Sequence, residues 1–200
     1  WIHFGTAAGV GVMYRIALAA LLGGLAAGIA MAFRLTDGFY AYARLGHIHL
    51  IVLGCLTLSF IVALHQLIPL VLRMPLVLGS LTRFALWVLP AGFAVLLGAF
   101  LMSAVWLQII VGCLLFASIT LCTVHLVAIW LKAGSPGSAA TDHLLIGATF
   151  LLLATATGLA MGVNYVRSPP FLPIGSLHLV AYTHLAFIGF LTQVIWGGLS

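Results

Sequence analysis

The stretch from Arg44 to Pro69, RLGHIHLIVLGCLTLSFIVALHQLIP, limits the possible folds of this chain more than any other. It is long and apolar enough to cross a bilayer, since a spanning helix needs about 20 predominantly apolar residues. It nevertheless carries three histidines, His47, His49 and His65. Ionisable side chains within a membrane helix are costly and usually face the bundle interior. The sequence therefore predicts a buried helix whose histidines have partners elsewhere in the chain.

The composition of the whole chain is that of a polytopic membrane protein. Of its 200 residues, 64% are hydrophobic and 4% are charged, whereas about 25% of the residues of a soluble domain are charged. The hydropathy pattern predicts six spanning helices, and the short loops between them leave neighbouring helices antiparallel. We therefore expect an all-α fold, one transmembrane domain over residues 1–200, with spans at about 8–33, 44–71, 81–105, 106–131, 142–163 and 176–200.

Two features of the composition argue against other classes of protein. The seven lysines and arginines are scattered and form no basic patch, so nucleic-acid binding is not expected. The three cysteines stand singly within apolar stretches, which indicates neither a disulfide framework nor a zinc site. The expected surroundings are a lipid bilayer and other membrane subunits, and we expect an integral protein of a bacterial cytoplasmic (inner) membrane.

The eight histidines sort into two layers when the direction of each predicted span is followed. We call the side of the membrane where the chain starts face A and the other side face B. Even-numbered spans then run from B to A, so the place of a histidine along its span assigns it to one side. Face B receives His47, His49, His178 and His184, and face A receives His3, His65, His125 and His143.

Spans two and six share an internal sequence repeat. Aligning His49 with His184 sets HLIVLGCLTLSFIVALH against HLAFIGFLTQVIWGGLS, and 6 of the 17 positions are identical. This is more than chance gives in so apolar an alphabet. Because both spans run in the same direction, the repeat predicts that the two histidines lie at one depth.

Two histidines at one depth on different spans are what a bis-histidine haem needs, because the iron takes one imidazole nitrogen from each side of the macrocycle. His49 and His184 are therefore predicted to hold a haem b between spans two and six. The alternative is that each histidine hydrogen-bonds to a neighbouring helix, as polar residues in membranes often do.

The other histidines leave two questions open. His47 and His49 are two residues apart, about 200° around a helix, and cannot share one ligand site; either could be the ligand, or each could serve its own cofactor. His178 is a further candidate in this layer. His47 and His65 lie on one face of the helix about 27 Å apart, which fits one group near each membrane surface. His65 and His125 form a second candidate metal site near face A; the alternative is an interfacial pair at helix ends.

Arginine side chains suit the anionic propionates of a haem. Arg34, Arg44 and Arg167 flank the histidine layer near face B. Arg15 lies a turn or two inside span one near face A, where a charge is a functional candidate. It either binds a propionate of a second haem or extends to the interface.

GHIHL followed by LG, HQLIP at the far end of the same span, and YTHLAFIGF in span six resemble histidine-bearing helices of the haem–copper oxidase subunit I superfamily. The likeness is to its cytochrome-oxidase-like and nitric-oxide-reductase-like branches and to NnrS-type membrane haem proteins. The resemblance implies that His49 and His184 are axial ligands of a low-spin haem b, and that His47 can serve a second, high-spin haem. The chain departs from that family in having six predicted spans instead of about twelve, no third-histidine cluster for copper, and no glutamate.

These observations favour a membrane-embedded subunit that binds one or two haems b and transfers electrons within a respiratory or redox complex, as part of an oxidoreductase. Copper and non-haem iron are not expected. A quinol or a cytochrome c is the expected redox partner, with Asp142 and His143 as a proton-accepting pair for a quinol. One alternative is an oxygen- or nitric-oxide-reducing haem–metal centre; another is a haem-free structural subunit or a transporter with histidine relays. No catalytic residue is assigned.

Overall fold

The computed structural model describes residues 7–166 and 176–200, with side chains over 9–166 and 180–200. Over these residues the chain is an all-α bundle. Six of its helices are long and apolar enough to cross a membrane, which confirms the predicted fold class and makes the chain an integral membrane protein. We number them span one to span six: Gly9–Ala32, Asp37–Val71, Ser80–Leu101, Val105–Lys132, Ala139–Val166 and Val180–Leu199.

Span two begins earlier than the sequence predicted. A 3₁₀ turn at Asp37–Phe39 leads into an α-helix that starts at Tyr40. Arg44, where the sequence analysis began the span, lies exposed within that helix. His47 and His49 therefore lie about two turns into the helix, further from its start than a span beginning at residue 44 would place them. Within span two, α-helix Tyr40–His49 is followed by π-helix Leu50–Thr57 and α-helix Leu58–Val71.

Span six has the same order of helix types. Its first α-helix, Ser176–His184, starts before the apolar part of the span and is followed by π-helix Leu185–Leu191 and α-helix Thr192–Leu199.

Span two lies at the centre of the bundle and contacts each of the other five spans. Its close approach to span one depends on small residues. A Cβ on Gly24 would meet Ile51, and one on Gly28 would lie 3.0 Å from the His47 ring. On the central span itself, Gly54 faces span three at Phe93. The site residues of span two are therefore held between several packed neighbours.

Spans one to three are each followed, two residues after their last residue, by a residue other than glycine that has positive φ. Arg34, Arg73 and Ser103 have φ values of 60°, 52° and 54°. After Ser103, the Ala104 N–H donates to the Ala99 carbonyl at 2.9 Å, which is the long hydrogen bond of a Schellman motif. The motif requires this conformation, which costs an L-residue about 1–2 kcal/mol.

We expect Ser103→Gly to stabilise the protein by up to about 1 kcal/mol, because glycine removes that strain but is more flexible in the unfolded chain. The thermal midpoint in detergent should rise by about 2–4 °C. Ser118→Gly is the matched control, since Ser118 lies within span four and its hydroxyl donates to the Leu114 carbonyl at 2.8 Å. It should lower the midpoint; a fall for Ser103→Gly as well would contradict the assignment of strain.

Candidate functional site

The sequence repeat in spans two and six has a structural counterpart. His49 is followed directly by the π-helical segment Leu50–Thr57, and His184 is followed by the π-helical segment Leu185–Leu191. π-Helical hydrogen bonds, which reach five residues instead of four, are rare and are often found at functional sites. The two spans therefore contain the same unit, a histidine followed by a wide helical turn, which we call the His–π unit.

The far end of the two His–π units is also alike. Thr57 and Thr192 occupy matching positions of the repeat, each eight residues after its histidine. The Thr57 hydroxyl donates to the Val52 carbonyl at 2.9 Å, and the Thr192 hydroxyl donates to the Phe187 carbonyl at 3.0 Å. In both cases the acceptor lies five residues earlier, so the hydroxyl helps to satisfy a carbonyl within the wide turn.

The histidines of both units are held in one tautomer. His49 Nδ1 lies 2.8 Å from the Leu45 carbonyl oxygen, and His184 Nδ1 lies 2.8 Å from the Val180 carbonyl oxygen. A carbonyl only accepts, so a neutral imidazole must carry its proton on Nδ1 and a lone pair on Nε2. Histidines that ligate metals are usually fixed in this way, by donating the second ring N–H to a carbonyl or carboxylate.

The π-helical segments of the two units pack in one apolar cluster, but their imidazoles have different surroundings. The His49 ring contacts the Phe100 ring of span three, with centroids 4.7 Å apart, and His184 is exposed on the outside of the bundle. No hydrogen bond or ring contact joins the two imidazoles within the described residues. The space between spans two and six at this depth is filled by Ile48, Val52, Tyr182, Leu185 and Ala186. The predicted pairing of His49 and His184 across a single iron stays a prediction, and the residues that pack between spans two and six at this depth are apolar.

His47 faces a different neighbour from His49. Its Nδ1 donates to the Gly24 carbonyl oxygen of span one at 2.8 Å. The absence of a side chain at Gly28 leaves room for the ring. His47 and His49 thus lie on different sides of span two, as their spacing predicted, and His47 ties spans one and two together.

His65 and His125, the second predicted pair, are stacked with their ring planes nearly parallel. Their ring centroids are 5.5 Å apart, and the ring planes differ by 8°. His65 is 2% exposed, and its Nδ1 donates to the Ile61 carbonyl at 2.8 Å. His125 donates from Nε2 to the Val77 carbonyl, in the segment before span three, at 3.1 Å.

The remaining nitrogens of this pair are His65 Nε2 and His125 Nδ1. Both are buried, and neither has a hydrogen-bond partner among the described residues. Because each ring already donates its one N–H to a carbonyl, both remaining nitrogens of the neutral rings are lone pairs. Two lone pairs cannot hydrogen-bond to each other, so each of these buried nitrogens is left without a partner among the described residues.

The three arginine candidates that the structure describes, Arg15, Arg34 and Arg44, are exposed. Arg34 forms an exposed ion pair with Asp37 at 3.1 Å, and Arg44 is exposed. The guanidinium of Arg15, also exposed, extends back towards Gly11 in the direction of face A. Arg167, His3 and the side chain of His178 lie outside the described residues, so their predicted roles remain predictions.

His143, on face A, has a partner that the sequence analysis did not identify. Its Nδ1 lies 2.6 Å from Gln193 Oε1 in span six. Asp142 is exposed beside it. Gln193 is a polar residue in an apolar span and lies in the repeat nine residues after His184, which is the signal that could have indicated it. The Phe100 ring beside His49 carried no such signal, because it resembles many other apolar residues.

No group of three or more histidine, cysteine or acidic side chains able to hold a metal occurs within the described parts of the chain. Comparisons with protein-family models, with curated proteins and with solved structures found no match to this chain. The fold and the site define a class only: an all-α membrane protein with two His–π units near one face and a histidine pair near the other.

Proposed function

We propose that this chain is a membrane-embedded electron-transfer subunit that binds haem b through His49 and His184. The proposal rests above all on the repeated His–π unit. In both copies the Nδ1 proton is held by a backbone carbonyl, which leaves Nε2 ready to bind iron. A ligand histidine and a fixed tautomer at matching positions of a repeat are what a haem protein with two such ligands needs.

The donor atoms of His49 and His184 suit a haem iron, and the packing around each ring supports separate use of the two. Val52 of span two and Tyr182 of span six are buried in one apolar cluster, whereas His49 contacts Phe100 of span three. His49 and His184 would therefore serve separate haems. An exposed imidazole lone pair facing hydrocarbon has no partner in lipid, so the surface at His184 is suited to a haem covered by another membrane subunit.

The surrounding charges support the same reading. Arg44 lies five residues before His49, is exposed, and makes no ion pair with another described residue. It is therefore free to bind a propionate by a charge-assisted hydrogen bond. Bound haem would supply one-electron redox chemistry, while this chain would supply ligands, orientation and an apolar surrounding that sets the potential. The partners we propose are other subunits of a redox complex and a quinol or cytochrome c, in a bacterial inner membrane.

An optical spectrum of the purified, dithionite-reduced protein tests this function. We expect the sharp α-band of a b-type haem, and a pyridine haemochrome assay should give up to two haems per chain. A colourless preparation from cells supplied with haem precursors would contradict the proposal and favour a haem-free subunit or transporter. Bound non-haem iron or copper in a fixed ratio to haem, with oxygen or nitric oxide consumption, would instead favour a terminal reductase.

A further inference from the structure

We propose that the face A end of the bundle binds one acidic phospholipid, such as phosphatidylglycerol, in a cavity beside Lys132. The cavity has a volume of about 130 Å³ and lies between the segment that follows span two and the last turns of span four. The proposal does not depend on the haem proposal, because none of the residues that line the cavity belongs to a His–π unit. Its basis is an unpaired cation beside an apolar cavity that opens towards lipid.

The segment after span two forms one wall of the cavity. It runs from residue 74 to residue 79 without regular secondary structure. The Met74 N–H donates to the Pro69 carbonyl at 2.8 Å, and His125 Nε2 donates to the Val77 carbonyl at 3.1 Å. The second hydrogen bond ties the segment to span four, so the cavity has a defined shape on both sides.

The wall is apolar and continues into the outer surface of the bundle. It is lined by Met74, Pro75, Val77, Ala128 and Ile129. Val77 is 70% exposed, so the cavity opens to the side of the bundle, where exposed apolar side chains face lipid tails. A cavity of about 150 Å³ holds one benzene molecule. This one therefore takes a few methylene groups of an acyl chain, while the rest of the lipid lies on the outer surface.

Lys132 provides the charge that selects an acidic lipid. It is the last residue of span four, is exposed, and makes no ion pair with another described residue. Arg73, which precedes Met74, is exposed and likewise makes no ion pair among the described residues. Asp142, on the same face, does not line the cavity. Basic pockets between membrane helices bind the head groups of acidic lipids, and one lysine near the membrane surface contributes about fivefold in affinity.

Native mass spectrometry of the delipidated full chain tests the site. The chain is titrated with phosphatidylglycerol and with phosphatidylcholine that carry identical acyl chains. We expect one tightly bound phosphatidylglycerol per chain and a clear preference for it over phosphatidylcholine. Lys132→Gln should lower that preference about fivefold without changing the affinity for phosphatidylcholine. Ala128→Phe, which fills the cavity, should weaken the binding of both lipids at least about tenfold.

Arg83→Gln and Ala117→Phe are the matched controls. Arg83 is another cation of face A, and Ala117 is an exposed alanine of span four, but neither residue lines the cavity. Both variants should bind the two lipids as the unaltered protein does. The haem content should be the same in all four variants.

Each other outcome overturns the proposal. Equal affinity of the unaltered protein for the two lipids would mean that the charge of Lys132 is not used. Displacement of the bound lipid by inorganic phosphate would assign the site to a free anion. An unchanged lipid preference in Lys132→Gln, with a lower thermal midpoint, would mean that Lys132 only complements the end of its helix. Because Lys132→Gln alters an exposed side chain, it tests the site even where thermal midpoints show that Ala128→Phe is unfolded.

Discussion

Gly54→Val is expected to lower the free energy of unfolding by about 3 kcal/mol, because it over-fills a closed packing site. A Cβ at this position would lie 2.6 Å from the Ala20 Cβ and 2.5 Å from the Phe93 ring. Ala20 and Phe93 are 5% and 6% exposed, so neither has free space beside it. Since the Ala20 methyl is fixed to its backbone, spans one and two must move apart. Denaturation in mixed detergent micelles, followed by circular dichroism, measures the change.

Gly46→Val is the control for this prediction. Gly46 lies eight residues earlier on the same span, and a Cβ there meets nothing within 4 Å. Its substitution should change the free energy of unfolding by less than about 0.5 kcal/mol. Equal losses in the two variants would mean that span two does not pack at Gly54 as described.

His49→Leu and His184→Leu are each expected to remove about half of the bound haem, and the double variant all of it. The structure predicts this because the two imidazoles face different sides of the bundle, so each would hold its own iron. A single haem shared between them would instead be lost completely in either single variant. Pyridine haemochrome content per chain, measured on purified protein, distinguishes the two results.

Thr183→Val is the control for the haem variants. Thr183 is next to His184, and its hydroxyl donates to the Val180 carbonyl at 2.9 Å, so the change is of similar size and place but leaves the imidazole intact. Its haem content should equal that of the unaltered protein. Full haem in both histidine variants would refute the ligand assignment, provided that their thermal midpoints show a folded protein.

The sequence predicted the number and approximate bounds of the spans because hydrocarbon thickness imposes a minimum length on any apolar helix. It misplaced the start of span two because a long arginine side chain can remain exposed on a helix that continues past it. The π-helical segments were not predicted: a shift from four-residue to five-residue hydrogen bonding leaves no pattern in a stretch that is apolar throughout.

The sequence predicted which histidines lie at the same depth in the bundle, but it did not predict which neighbours they face. Counting spans placed His65 and His125 in one layer, and in the structure their rings are stacked. Counting spans could not give the rotation of a helix about its axis. A repeat in parallel helices shows that His49 and His184 occupy equivalent positions, but each helix packs on different neighbours. Hence His49 meets Phe100, while Ile48 and Val52 face span six.

The π-helical segment of span two affects the directions in which the histidines of that span point. Its five-residue hydrogen bonds change the rotation of the helix about its axis. The part of span two after Thr57 therefore faces a different direction than it would in an unbroken α-helix. In the same span, His49 contacts span three at Phe100. His65 contacts span four at His125, towards the other end of the helix. The wide turn therefore sets the direction of His65 relative to His49, and removing one residue from it is expected to rotate one imidazole about the helix axis relative to the other.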